Sequence, residues 1–494
     1  VGNRRCERLL REAELWTAAA GRDAPLLGEL WEELLVQQFH DILPGSSIGW
    51  VHDDAALAHR RIAGQVEAIV VDALAALVDQ PSWANAATWM RDEVVIADDP
   101  PIGSAPDAGD PDDLIQKLAD GGVAYRVTVP GLGIGAARAA AVEHPVVVTE
   151  RTMSNGIIAV GWNESTGELN SIIDIGRSRQ VLPTGHTVQL LLAEDRPVLY
   201  DAWDTESWTR AGGRVVDEVA VIEVVEHGPL LGRVRVIRRL PSGTAIVARY
   251  TLRAGSPLVE IDFDIDWRED ERLLSVHVPI DIRAREAACD IQFGHVMRPT
   301  HASTSWDAAK FEVCAHRFVD LSEPDFGVAV LNNGRYGHGL HRDGITVSLL
   351  KAPKYPDPQA DQGIHRVELA ILPHGAGLTD VLARAEAWNL PLRYIGGGLA
   401  ESAAQPVISL DNQRVQISAI KRADDTSGDL IVRLYEATGG RARASITTPG
   451  RVACASRCDI YEVPLVDGGV EVSDGVLVVD LAPFELATLR ITRA

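Results

Sequence analysis

Apolar residues near the start of the chain recur every three or four positions. In "RRCERLLREAELWTAAAGRD", Leu9, Leu10, Ala13 and Leu15-Trp16 keep that spacing, which puts them on one face of a helix of about 3.6 residues per turn. Gly21 stands where such a helix would stop, because glycine adopts a left-handed cap without steric cost. "APLLGELWEELLVQQFHDILPG" repeats the pattern through Leu27, Leu30, Trp31, Leu34, Leu35 and Phe39. It predicts a second helix running to Pro44-Gly45, where proline cannot continue the hydrogen-bond ladder. A third helix is expected from Asp53-Asp54, whose charges suit an N-terminus, through Ile62, Val66, Val70, Leu74 and Leu77. Three amphipathic helices with short connections over residues 1–80 predict a bundle.

After Pro81 the period shortens from helical to alternating. "DEVVIA", "AYRVTV", "HPVVVTE", "NGIIAVGW", "GRVRVIRRL", "LVEIDFDIDW" and "LLSVHVPIDI" read as strands separated by Gly, Pro, Asp and Asn. "VEIDFDIDW" alternates apolar and acidic residues, as a strand with one wet face does. Only "GLTDVLARAEAW" keeps a helical period. The expected fold is mainly β with an N-terminal α-helical bundle, the rest being antiparallel β-sandwich (supersandwich) domains. We expect a small β domain over 81–148, a large β-sandwich over 149–390 and a C-terminal β-sandwich over 391–494.

Composition narrows the function. A chain of 494 residues is too long for one core, and 46% hydrophobic with 24% charged residues fits ordinary well-filled domains. A formal charge of −23 argues against nucleic acid or an anionic membrane as partner and leaves a neutral substrate compatible. No run of about 18 apolar residues predicts a membrane span. Cys6, Cys289, Cys314, Cys454 and Cys458 form an odd, scattered set that predicts reduced thiols rather than a disulfide framework or a zinc knuckle. Helical pattern begins almost at Val1, which reads as the inside of a longer chain whose targeting signal would lie out of sight.

Candidate chemistry is sparse and each motif has a plainer reading. "PGLGIGA" carries Gly131, Gly133 and Ala136 after a strand, with Glu150 further on, but Pro130 intrudes and "AARAAAVEH" is too short for a crossover helix. "YPDPQADQG" has Gln362 where a calcium loop starting at Asp357 needs glycine, so it reads as a surface loop. "DAWD" (Asp201 to Asp204) and "WRED" (Trp267 to Asp270) read as turn caps and core plugs. "NNGRYGHG" is expected to display Arg335 and Tyr336 on a tight loop. His40 and Asp41 in "QQFHDILPGSS" remain open. They could pack and cap a helix end, or the imidazole could serve as a zinc ligand while the carboxylate accepts hydrogen bonds from vicinal sugar hydroxyls. Zinc wants about four ligands, and local sequence supplies no second donor at helical spacing.

The wider text favours the second option. "NRRCERLLREAELW" followed by "LWEELLVQQFHDILPGSSIGWVHDDA" resembles the helical region of glycoside hydrolase family 38 α-mannosidases, in particular the cytosolic-type branch. The resemblance continues in the family's order through "DRPVLYDAWD", "VEIDFDIDWRED", "GHVMRPTHASTSWDAAKFEVCAHRFVDLSE", "LNNGRYGHG", "LLKAPKYPDPQADQGIHRVELAILPH", "IVRLYE" and "LAPFELATLRI". It implies a zinc-dependent, retaining exo-mannosidase acting on mannose-containing oligosaccharides, with cobalt as an alternative ion. It implies that His40 is a zinc ligand and Asp41 a sugar-binding acid. The metal is then expected to grip hydroxyls of the terminal mannose and favour ring distortion. The resemblance also brings β-domain side chains to the rim of the site, for which Tyr336 is the candidate.

One departure matters. The family's nucleophile, acid/base and remaining zinc ligands belong to an N-terminal α/β barrel that this sequence lacks, so no catalytic residue is assigned here. The chain is expected to be a C-terminal portion, inactive alone, whose partner is the barrel of the same polypeptide, in the cytoplasm. A retaining reaction needs two carboxylates about 5–5.5 Å apart. Two other readings stand: a non-catalytic carbohydrate-binding β-sandwich protein with a helical cap, suggested by 11 tryptophans, and a bundle that serves as a homo-oligomer contact.

Overall fold

The computed structural model of the protein describes residues 1–78, 81–97, 115–136, 142–396 and 406–493. Residues 137–141 of "AARAAAVEH" and the end of "LPLRYIGGG" lie outside them. Helices α1 (Gly2–Ala19), α2 (Leu26–Val36) and α3 (Gly49–Ala75) open the chain. α1 buries Leu9, Leu10, Ala13 and Trp16 on the expected face. Gly21 ends it at φ +64°, and the Arg22 N–H reaches back to the Thr17 carbonyl at 2.9 Å. The apolar stripes of the three helices share one core with the C-terminal strands, including Ile417, Leu434 and Leu489. Arg393 adds a polar tie, donating to Glu12 on α1 at 2.5 Å and Glu67 on α3 at 2.6 Å.

Two helix limits differ from the expectation. α2 stops at Val36 rather than at Pro44-Gly45, and residues 37–45 form successive turns. Phe39 and Leu43, which continue the apolar period, face outward and give the helix no core to follow. α3 begins at Gly49, not near Asp53-Asp54, with Ile48 as N-cap and no side-chain cap. Tertiary contact replaces the missing cap: His52 Nδ1 lies 2.9 Å from Asp357 Oδ2, and a Cβ on Gly49 would stand 3.2 Å from Asp357 Oδ1.

The remainder is mainly antiparallel sheet, as expected. A nine-stranded sheet includes Leu231–Arg239, Ala245–Arg253, Val259–Trp267 and Gly363–His374, and a six-stranded sheet includes Gln189–Glu194, Arg272–Pro279, Gly337–His341 and Gly344–Leu350. Both feed one apolar interior through residues such as Phe263, Trp267, Val276 and Val347. The strand 259–267 alternates largely as its sequence predicts. The exception is Glu260, which is buried yet paired with Arg253 at 2.7 Å. "GLTDVLARAEAW" forms helix α4 (Thr379–Asn389). A five-stranded sheet within residues 147–180, two three-stranded sheets and the C-terminal four- and five-stranded sheets complete the architecture.

Candidate functional site

The turns after α2 fix Asp41 and leave His40 free. Pro44 has no N–H to donate, and Gly45 takes φ +79° to reverse the chain. The Ser46 N–H and Ser47 hydroxyl then donate to the Asp41 carbonyl at 3.1 and 2.7 Å. The serines of "PGSS" are buried and lock the backbone of the acid. The Asp41 side chain, 36% exposed, accepts at Oδ1 from the Trp203 indole at 3.3 Å and the Ser46 hydroxyl at 3.4 Å. Its Oδ2 faces His40 Nε2 at 3.4 Å. The imidazole is 77% exposed and leans on Phe39, with ring centroids 4.2 Å apart.

Trp203 comes from a loop that a second loop clamps. Asp201 Oδ2 accepts from the Lys354 and Tyr355 N–H groups at 2.5 and 3.1 Å. Lys351 reaches the Asp204 carbonyl, Thr205 Oγ1 at 3.2 Å and the buried Asp195 carboxylate at 3.2 Å. Asp195 thereby keeps a counter-charge, although burial pushes its carboxyl above the usual range. The same 351–362 loop reaches α3 through His52–Asp357. Three segments distant in sequence thus converge behind Asp41. Leu35, Val36, Phe39 and Leu43 on the corner, and Val198, Leu199 and Tyr200 on the Trp203 loop, are exposed. Such an apolar rim is unusual for a surface with no partner.

Other candidates resolve differently. Tyr336 and Arg335 are half-buried, not displayed. Asn332 Oδ1 draws in the Gly334 and Arg335 N–H groups at 3.0 and 2.9 Å, while Arg8 of α1 donates to Asn333 at 2.6 Å, so the helix covers the loop. Tyr336 packs on His316 at 5.2 Å between ring centroids, and no contact joins it to His40 or Asp41. Trp267 is the core plug expected of "WRED", whereas Asp201 of "DAWD" caps not its own turn but the distant Lys354 and Tyr355 N–H groups. Trp203 was missed because that motif read as structural throughout. The signal was Val198-Leu199-Tyr200, an apolar run placed in a turn. "PGLGIGA" leads into Gly133–Ala136, antiparallel to Ser82–Asn85, so its glycines join strands. The five cysteines are all free. Among the described residues no three His, Cys, Asp or Glu side chains converge as a metal site. His40 and Asp41 alone therefore do not fit a complete zinc sphere of about four donors.

Three stretches match domains of known proteins. Residues 1–77 match the alpha mannosidase middle domain, 153–359 the glycosyl hydrolases family 38 C-terminal domain, and 414–489 the family 38 C-terminal beta sandwich domain. Alpha-mannosidase 2C1 of Mus musculus is 32% identical over 521 residues, covering 99% of this chain and 48% of that relative. An alpha-mannosidase of Saccharomyces cerevisiae is 28% identical over 509 residues, covering 94% of this chain and 43% of its own. The chain thus spans about half the length of the curated relatives it matches. The crystal structure of an alpha-mannosidase from Enterococcus faecalis V583 shares the fold, with a TM-score of 0.80 over 99% of this chain and 67% of that one at 16% identity.

Proposed function

This chain belongs to glycosyl hydrolase family 38, whose middle and C-terminal domains it carries, and from that premise we propose that it is the C-terminal portion of a zinc-dependent, retaining α-mannosidase that removes terminal α-mannose from oligosaccharides. In this reading His40 supplies one metal donor and Asp41 binds the sugar. The observation that carries it is the corner itself: an accessible imidazole beside a carboxylate with one oxygen already held by Trp203 and Ser46. An acid placed only to cap a helix would not need an indole from a loop some 160 residues away in sequence, since local backbone donors suffice for that task.

The chemistry left to these residues is binding and orientation. Asp41 Oδ2 can accept from a sugar hydroxyl while Oδ1 stays on Trp203, so the carboxylate keeps its orientation as substrate arrives. Among the described residues neither His40 nor Asp41 has a second carboxylate in hydrogen-bond contact. The nucleophile, the acid/base and the other zinc donors are accordingly assigned to an α/β barrel of the same polypeptide, docked on the apolar rim around Phe39, Leu43 and Tyr200. A cytoplasmic setting is proposed from the relation to alpha-mannosidase 2C1 and the free cysteines.

The 494 residues tested alone decide the division of labour. Incubated with 4-nitrophenyl α-mannopyranoside and zinc, the purified chain should release no nitrophenol and should bind zinc only weakly. Sustained turnover would overturn the assignment of the nucleophile to another domain.

A further inference from the structure

The register of the six-stranded sheet decides what each of its faces carries. Leu190, Leu274, Val276 and Val347 point into the core. Their neighbours point the other way: Leu191 pairs with Ser275, His277 with Thr346, and Thr346 with Gly339. Those residues and His341, two positions beyond Gly339, therefore share the outer face. The short helix Ser207–Ala211 and Phe311 wall that face and enclose a recess of about 390 Å³. That is the size of pockets which hold small molecules, roughly 300–1,000 Å³.

Two imidazoles stand at one side of it, their ring centroids 6.2 Å apart. His277 Nδ1 lies 3.1 Å from Thr346 Oγ1. Its Nε2 and both nitrogens of His341 have no hydrogen-bond partner among the described residues, and none of the three is sealed from solvent as His338 Nε2 is. Gly339 makes room for this arrangement, since a Cβ there would come within 2.8 Å of His341 Nε2. Burial holds both histidines below their ordinary range, against the opposing pull of Asp343. Each ring is then neutral near pH 7: His341 offers both a donor and an acceptor, and His277, engaged at Nδ1 by Thr346, offers one or the other at Nε2.

The rest of the lining selects among ligand classes. Leu191, Ala193 and Leu273 give an apolar floor, and Asp343 adds an acceptor at the rim. The cation on the wall, Arg210, is paired with Glu312 Oε2 at 3.1 Å and with the Ser348 hydroxyl, and its remaining Nη1 is sealed from solvent, so its charge is already balanced and does not favour an anion. Among the described residues a metal ion here lacks a third ligand. A pyranose has what remains: a C–H face for the floor and a rim of hydroxyls for groups that both give and accept hydrogen bonds.

We infer that this recess is a second carbohydrate site, taking one neutral sugar ring of a glycan through His277, His341 and Asp343. It is separate from the His40–Asp41 corner and does not require the metal or the barrel. The helix that walls it begins four residues after Trp203.

The test is calorimetric titration of the intact chain with methyl α-D-mannopyranoside, using His277→Ala, His341→Ala and Asp41→Asn. Thermal melting confirms that each variant folds, and the partly exposed His341 keeps the test open if His277→Ala does not. The expected result is saturable binding, weakened at least about tenfold by either histidine change and retained in Asp41→Asn. Absence of saturable binding, binding as tight as the parent's in both histidine variants, or displacement of the sugar by inorganic phosphate would overturn this site. Loss confined to Asp41→Asn would also overturn it, while leaving the proposed role of Asp41 standing.

Discussion

Two histidine–aspartate pairs in this molecule have the same chemistry and opposite surroundings. His374 Nε2 meets Asp320 Oδ1 at 2.7 Å with side chains 1% and 3% exposed, and every near neighbour is engaged. His374 Nδ1 lies 2.7 Å from the Gly375 carbonyl, and Ser322 donates to Asp320 Oδ2 at 2.7 Å. His40 and Asp41 stand 3.4 Å apart, and among the described residues the imidazole has no partner besides Asp41 and the Phe39 ring. The buried pair is saturated, so its role is to hold strands Phe318–Ser322 and Gly363–His374 in one sheet. The corner pair is held at Asp41, so His40 keeps coordination capacity that none of the described residues uses. A satisfied pair reports on stability; an unsatisfied one, pinned from behind, reports on a ligand.

The contrast should break first at the buried pair. His374→Ala leaves the Asp320 carboxylate buried without its hydrogen-bond partner, and unfolding by urea should show a loss of about 3–5 kcal/mol. A loss under about 1 kcal/mol would remove the distinction drawn between the two pairs.

A smaller effect sharpens what burial does to acids in the sheet. Burial, reinforced by Glu260 and Glu368, pushes the Asp262 carboxyl up to about 6. The folded protein thus holds this proton more tightly than the unfolded chain, so its favourable contribution is complete below the ordinary aspartate range and fades as pH rises to about 6. Asp262→Asn should raise stability at pH 7 by on the order of 1 kcal/mol and flatten the dependence between pH 4 and 6, followed by urea midpoint. A variant less stable than the parent at pH 7 would contradict this.

At the corner, Ser47→Ala removes one hydrogen bond to the Asp41 carbonyl and should cost about 1 kcal/mol in the same assay. His40→Ala should change stability by less than about 0.5 kcal/mol, because the ring makes no buried contact. A large loss from His40→Ala would mean that the imidazole is structural after all.

Much of this was legible in the sequence, for physical reasons that also mark where it failed. Leu9, Leu10, Ala13 and Trp16 fall on one face and find a core, so α1 appears as its period predicts. The alternating strand 259–267 is recognisable because one of its faces is wet. The end of α2 was misplaced because Phe39 and Leu43 keep a helical period for a surface role. The start of α3 was misplaced because its contacts come from Asp357, more than 300 residues on. Local pattern cannot report a contact of that separation. Trp203 and the His277–His341 recess share this origin, since neither has a local motif and both are assembled by sheet register and loop packing.

The most direct measurement is made on a polypeptide in which this chain is joined to its proposed barrel. His40→Ala is compared with the parent for bound zinc per molecule and for mannosidase activity in the same preparation. The account predicts that zinc content and activity fall together while the protein stays folded. Activity lost with the full complement of zinc retained, or activity kept, would contradict the assignment of that imidazole to the metal.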